Sequence, residues 1–96
     1  MWEEEARKII SEIAAALRGR SPDCRNMIPT VRDLVKIVAR RNIGRPGDNL
    51  QMMDQKAAEI RPAVESLEAA LLVDEADKAL KHAELALRVL DDQRTD

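Results

Sequence analysis

Between residues 50 and 71, apolar residues recur at spacings that alternate strictly between three and four. This heptad pattern brings one apolar stripe onto a single face of an α-helix. The stripe consists of Leu50, Met53, Ala57, Ile60, Val64, Leu67 and Leu71. A strand would need apolar residues at every second position, and no segment bounded by turn residues shows that alternation. The sequence therefore predicts an all-α protein.

Similar spacing elsewhere divides the chain into four helices that form a single domain over residues 1–96. The predicted helices span about 2–18, 22–42, 49–72 and 75–91. Residues that typically stop or cap helices stand at Gly19, Ser21, Gly44, Asp48 and Asp74. Pro22 follows the capping Ser21 at the first helical position, and Gln51 completes a capping box with Asp48.

Two prolines, Pro29 and Pro62, fall inside predicted helices. Proline lacks an N–H group and clashes with the preceding turn, so it kinks or breaks a helix. The apolar phase continues through both positions, which favours a kink near each. The alternative is that Pro29 separates a short helix 22–27 from a longer one, which would make five helices. The connections are short, so we expect antiparallel neighbours in a compact bundle.

The predicted core is almost entirely aliphatic. The chain has no Phe, no Tyr and a single Trp, Trp2. The third helix offers large residues along its stripe, whereas the fourth alternates Ala with Leu, and this complementarity suits close packing. The predicted stripe of the fourth helix is Ala76, Leu80, Ala83, Leu87 and Leu90, widened by Leu85 and Val89. Without aromatic side chains the surface also lacks the usual anchors for ligands and partners.

Charge is distributed unevenly along the chain, whose net charge is −2. Residues 18–45 carry eight basic and two acidic residues, whereas residues 46–96 carry six basic and twelve acidic residues. One interpretation is a nucleic-acid surface formed by Arg32, Lys36, Arg40 and Arg41. We favour the other, in which a basic helix packs beside acidic helices, because Asp33 interrupts the basic segment and no aromatic residue could stack on a base.

Candidate chemistry is sparse, and we predict no catalytic, cofactor-binding or metal-binding residues and no enzyme activity. His82 is the only histidine, and position 79 is Ala rather than the Glu of a di-metal motif. Cys24 has no partner cysteine and falls at an apolar position, so we expect a small buried side chain, although a helix N-terminus could lower its pKa. Glu84 and Arg88 illustrate the expected surface pairs at four-residue spacing.

We expect no partner, no cofactor, no membrane association and no nucleic acid. If the protein did bind nucleic acid, the basic segment Arg32, Lys36, Arg40 and Arg41 would be the surface that binds it. The longest uncharged stretch near the start of the chain, Ile13–Leu17, is far shorter than the roughly 20 residues of a membrane span. A lone cysteine fits a reducing cytosol. A monomer is expected, although the heptads also permit packing across a dimer.

Residues 74–87 resemble the second helix of a tetratricopeptide repeat. Ala79, Ala83 and Ala86 occupy the positions of its small–large–small pattern, although the middle position is usually aromatic. The resemblance covers one helix, and no second copy follows in the sequence. It implies peptide binding on a concave face.

The whole chain resembles a computationally designed helical protein. Its helix ends are capped and charged, and its apolar positions follow strict binary patterning. Met52-Met53, Cys24 and the internal prolines are instead typical of natural helices, so the resemblance is to a design assembled from natural fragments. It implies a stably folded scaffold without natural activity.

Two other functions stay open on the sequence alone. The first is a natural interaction module that binds a peptide or partner helix through Leu72, Leu85 and Val89, which lie off the main stripes. The second is a small DNA-binding protein that uses the basic segment.

Overall fold

Four α-helices follow the predicted apolar spacing. The computed structural model describes residues 2–42 and 55–91, with side chains described through residue 40 and from residue 55. The helices are α1 (Trp2–Leu17), α2 (Cys24–Asn42), α3 (Gln55–Leu72) and α4 (Ala76–Asp91), and these ranges contain no strand. The all-α prediction is confirmed. The start of the third predicted helix, with its cap at Asp48 and Gln51, lies outside the described residues, as does Gly44.

The helices form a ring in which each contacts its two neighbours: α1 packs on α2, α2 on α3, α3 on α4, and α4 on α1. Ion pairs show the direction of packing. Arg7, early in α1, pairs with Asp91 at the end of α4, whereas Arg18, just after α1, pairs with Glu84. Helices α1 and α4 are therefore antiparallel, and the start of α2 likewise lies beside the end of α3, as expected for an antiparallel bundle.

The core is drawn from all four helices, and no polar or charged side chain in the described part is buried. The core residues are Trp2, Ala6, Ile10, Ile13, Ala14, Leu17, Cys24, Met27, Val31, Leu34, Val38, Ala57, Ile60, Ala63, Val64, Leu67, Ala70, Leu71, Ala79, Ala83, Ala86 and Leu90. Trp2 is the one aromatic ring in this set. The aliphatic core predicted from composition is therefore present.

The buried stripe of α4 differs from the prediction. Ala79 and Ala86 are fully buried together with Ala83, whereas Leu80 and Leu87 are only partly buried against the core. Alanine has no side-chain atom beyond Cβ, so a face lined with alanine lets its neighbours approach closely. The leucines pack along the flank of this face.

The cap of α2 also differs from the prediction. The helix begins at Cys24, two residues later than expected, and Asp23 rather than Ser21 is its N-cap. The backbone N–H of Asn26 donates to Oδ1 of Asp23 at 3.3 Å, and the side-chain amide of Asn26 donates to Oδ2 at 2.8 Å. A carboxylate at this position satisfies an N–H group that has no partner inside the helix. Pro22 therefore precedes the cap.

Asp74 ends α3 rather than starting α4. Its φ is 59°, in the left-handed region. The N–H of Asp74 donates to the carbonyl of Leu71 at 3.2 Å, and the N–H of Glu75 donates to that of Ala70 at 2.9 Å. This pair of bonds is the Schellman motif, which usually has glycine at the left-handed position. Glu75 then accepts the first hydrogen bond of α4, from Ala79.

Both internal prolines lie within continuous helices. Pro29 therefore does not split α2 into two helices, and the described part contains four helices rather than five. Each proline lacks an N–H group, so the carbonyl four residues earlier loses its helical hydrogen bond. Pro29 and Pro62 are both exposed, so these carbonyls lie on faces of the helices that water can reach. Kinks at these positions stay predictions.

Candidate functional site

An open cleft lies where the start of α2 meets the end of α3. Its volume is about 420 Å³. The cleft is lined by Pro22, Asp23, Cys24, Arg25, Ile28, Leu71, Leu72 and Asp74. It brings together a thiol, two carboxylates and a guanidinium.

The thiol in this cleft is held in its protonated form. Cys24 is 2% exposed, as predicted for a small core side chain. Burial is the largest cause that raises the pKa of Cys24. The nearby Asp74 carboxylate raises it further, because it accepts a hydrogen bond from the thiol and its negative charge disfavours the thiolate. The lowered pKa considered from the sequence is therefore wrong. A cysteine nucleophile acts as the thiolate, which this environment disfavours.

The two carboxylates of the cleft are tied to helix ends. Asp23 accepts the capping hydrogen bonds at the start of α2, and Asp74 holds the left-handed position after α3. Arg25 is exposed at the rim. The two carboxylates of the cleft thus have structural roles, and Asp74 is one that sequence reasoning misplaced.

Other candidates lie apart from the cleft. His82 is half-buried on α4. Across residues 2–42 and 55–91, no three His, Cys, Asp or Glu side chains are grouped so that they could hold a metal ion. Glu84 pairs with Arg18 at 3.2 Å instead of the expected Arg88, because α4 packs beside the end of α1.

Exposed apolar side chains occur on α3 and α4. Leu72 is 52% exposed and Leu85 is 46% exposed, whereas Val89 packs against the core. Val73, next to Leu72, is 63% exposed and was not among the sequence candidates. Two of the three predicted interaction residues are thus accessible. No helix among the described residues is long and apolar enough to cross a membrane.

The basic segment lies on the outer side of α2. Arg32, Lys36 and Arg40 are exposed, and the side chain of Arg41 lies outside the described residues. Arg32 pairs with Glu68 of α3 at 3.5 Å. Within the described ranges, neither Lys36 nor Arg40 forms an ion pair. We expected acidic residues of a neighbouring helix to pair with the basic residues of α2. Among the described residues, only Arg32 of these three cations forms such a pair, with Glu68.

Comparison with known proteins leaves the function to be argued from these residues. No protein-family model matches the chain, and no curated protein and no solved structure matches it either.

Proposed function

We propose that this chain is a non-catalytic helical scaffold, whose role is to hold a stable folded shape. The observation that supports this proposal is the shared apolar core, to which all four helices contribute without a buried polar side chain in the described part. Functional sites tend to gather groups with shifted pKa values. Among the described residues, Cys24 is the group whose pKa is clearly displaced, and the raised pKa favours the unreactive thiol.

The proposal includes the designed origin implied by the resemblance. The separation of apolar and charged faces, the acidic first turn of α1 and the cap at Asp23 support it. Idealised designs avoid a left-handed non-glycine residue such as Asp74. A scaffold assembled from natural helices accounts for both kinds of feature.

The test is thermal unfolding followed by circular dichroism, together with the mass in sedimentation equilibrium. We expect a helical monomer with a single cooperative transition at a high temperature. Leu67→Ala, in the core, should lower the transition temperature strongly, whereas the exposed control Leu72→Ala on the same helix should leave it nearly unchanged. A broad transition with dye binding, typical of a molten globule, would contradict the scaffold.

A second candidate is an interaction module that uses the exposed apolar residues. Leu72 and Val73 are adjacent and both more than half exposed, and such side chains in a contiguous patch are typical of interaction sites. This function predicts concentration-dependent association in light scattering, reversed by Leu72→Ser with Val73→Ser. A protein that stays monomeric over the accessible concentration range would favour the scaffold.

A further inference from the structure

The outer face of α2 carries a row of cations. Because α2 continues through Pro29, positions 25, 32, 36 and 40 fall within an arc of roughly 80° on a helix of 3.6 residues per turn. The row spans about 22 Å at a rise of 1.5 Å per residue. Its members, here called the cationic stripe, are Arg25, Arg32, Lys36 and Arg40, and all four are exposed.

The charge of the cationic stripe is largely unneutralised. Glu68 pairs with Arg32, and Asp33 is the one acidic residue within α2. Arg25, Lys36 and Arg40 have no ion pair among the described residues. Cations on the other helices mix with acids, and several form ion pairs, so the stripe is a distinct surface.

The chemistry of the stripe selects among possible partners. An amphipathic helix or a membrane surface would require apolar anchors, and the exposed large apolar side chains of the described part lie on or beside α3 and on α4 instead. Stacking on single-stranded bases would require an aromatic side chain, and the only one, Trp2, lies in the core. A duplex phosphate backbone is a linear polyanion that requires neither.

We propose that the cationic stripe binds the phosphate backbone of a nucleic-acid duplex, independently of base sequence. This binding is a further activity beyond the proposed scaffold role, and it does not depend on that role. Four phosphate contacts release condensed counterions, so the logarithm of the affinity falls with the logarithm of the salt concentration with a slope of about −3.6. Between about 50 and about 200 mM salt the affinity falls on the order of a hundredfold.

The experiment uses fluorescence anisotropy of two labelled DNA duplexes of unrelated sequence, over this salt range. The test variant is Arg25→Gln with Lys36→Gln and Arg40→Gln. The control is Lys78→Gln with Lys81→Gln and Arg88→Gln, which removes the same charge from exposed positions of α4. We expect the test variant to lose at least about tenfold in affinity and about 2.7 units of salt slope. The control should stay within about twofold of the parent.

Circular dichroism of both variants checks whether each keeps its helices. The absence of salt-sensitive binding to either duplex at about 50 mM salt would overturn the proposal. So would an equal loss of affinity in the two variants, which would assign the binding to net charge rather than to the stripe. Poly-glutamate and unlabelled duplex can be compared as competitors at equal concentrations of negative charge. If poly-glutamate displaces the labelled duplex more effectively, an acidic protein would be the better partner.

Discussion

The helices α2 and α4 stand at opposite positions in the ring, and their buried faces are built differently. Buried positions of α2 include Val31, Leu34 and Val38. The corresponding face of α4 is lined mainly with alanine, at positions 79, 83 and 86. With a single aromatic ring, the bundle fills its interior with branched side chains from α2, while the small alanines of α4 let that helix pack closely against its neighbours.

Their outer faces differ as well. Two acids of α4, Glu84 and Asp91, pair with arginines in and just after α1, so part of the charge on α4 joins it to a neighbour. In the cationic stripe of α2, one cation of four forms an ion pair with a described residue. The outer charge of α4 is thus partly used within the bundle, while that of α2 is left facing solvent.

The largest expected effect comes from shortening a branched side chain on α2. Leu34 is fully buried, so Leu34→Ala should destabilise the protein by about 3 kcal/mol through lost burial and a residual cavity. Urea unfolding followed by circular dichroism measures the change. The exposed control Lys36→Ala should change the stability by less than about 0.5 kcal/mol. A cost below about 1 kcal/mol for Leu34→Ala would show that this face is loosely packed.

The complementary change enlarges a small residue on α4. Ala83 is fully buried between close neighbours, so Ala83→Leu should destabilise the bundle by about 1–3 kcal/mol through overpacking. The matched control is Leu85→Ala on the exposed side of the same helix, for which little change is expected. If Ala83→Leu were neutral or stabilising, α4 would not approach its neighbours closely, and the contrast with α2 would fail.

The buried face of α2 is easier to predict from sequence than that of α4. Branched residues such as Val31 and Leu34 mark a buried face clearly, because they are rarely placed in water at helical spacing. Alanine is common on both faces of a helix, so Ala79 and Ala86 gave no such signal. Hydrophobicity favoured Leu80 and Leu87, which lie on the flank.

The candidate sites depended on features that no local pattern contains. Arg25 joins the stripe only if α2 continues through Pro29, and the sequence left that choice open. The ion pair between Arg18 and Glu84 depends on which helices are neighbours in the ring. Asp74 carries no glycine signal, so its left-handed conformation could not be predicted, although Asp tolerates that region better than most residues.

Two aspartates, one that caps the start of α2 and one that ends α3, should respond to substitution with opposite signs. Asp23→Ala removes the N-cap of α2 and should cost about 1 kcal/mol. Asp74→Gly relieves a left-handed residue just before α4 and should stabilise the protein by about 1 kcal/mol. Denaturant unfolding measures both, with Asp74→Asn as a control of nearly equal size. Changes of the same sign would contradict these assignments.

Cys24 can become charged on the buried face of α2, whereas the alanines of α4 cannot. Its folded pKa is raised above the ordinary value of 9.0, mainly by burial. The folded state therefore holds this proton more tightly, and the resulting stability is complete below about pH 9 and declines as the pH rises through the folded pKa. Between about pH 8 and about pH 10 the Tm of the parent should fall further than that of Cys24→Ala. Equal falls would show that the thiol does not contribute.

The smallest effect concerns the ion pairs that join α4 to α1. Arg18 and Glu84 lie 3.2 Å apart, and both side chains are about half exposed. Water and salt screen such a pair, so a double-mutant cycle with Arg18→Ala and Glu84→Ala should give a coupling of about 0.2–1 kcal/mol that shrinks with added salt. The same cycle for Lys36 and Arg40, which lie one turn apart on α2 and are both cations, should give no favourable coupling. A favourable coupling there would contradict the contrast between a like-charged row on α2 and the paired charges of α4.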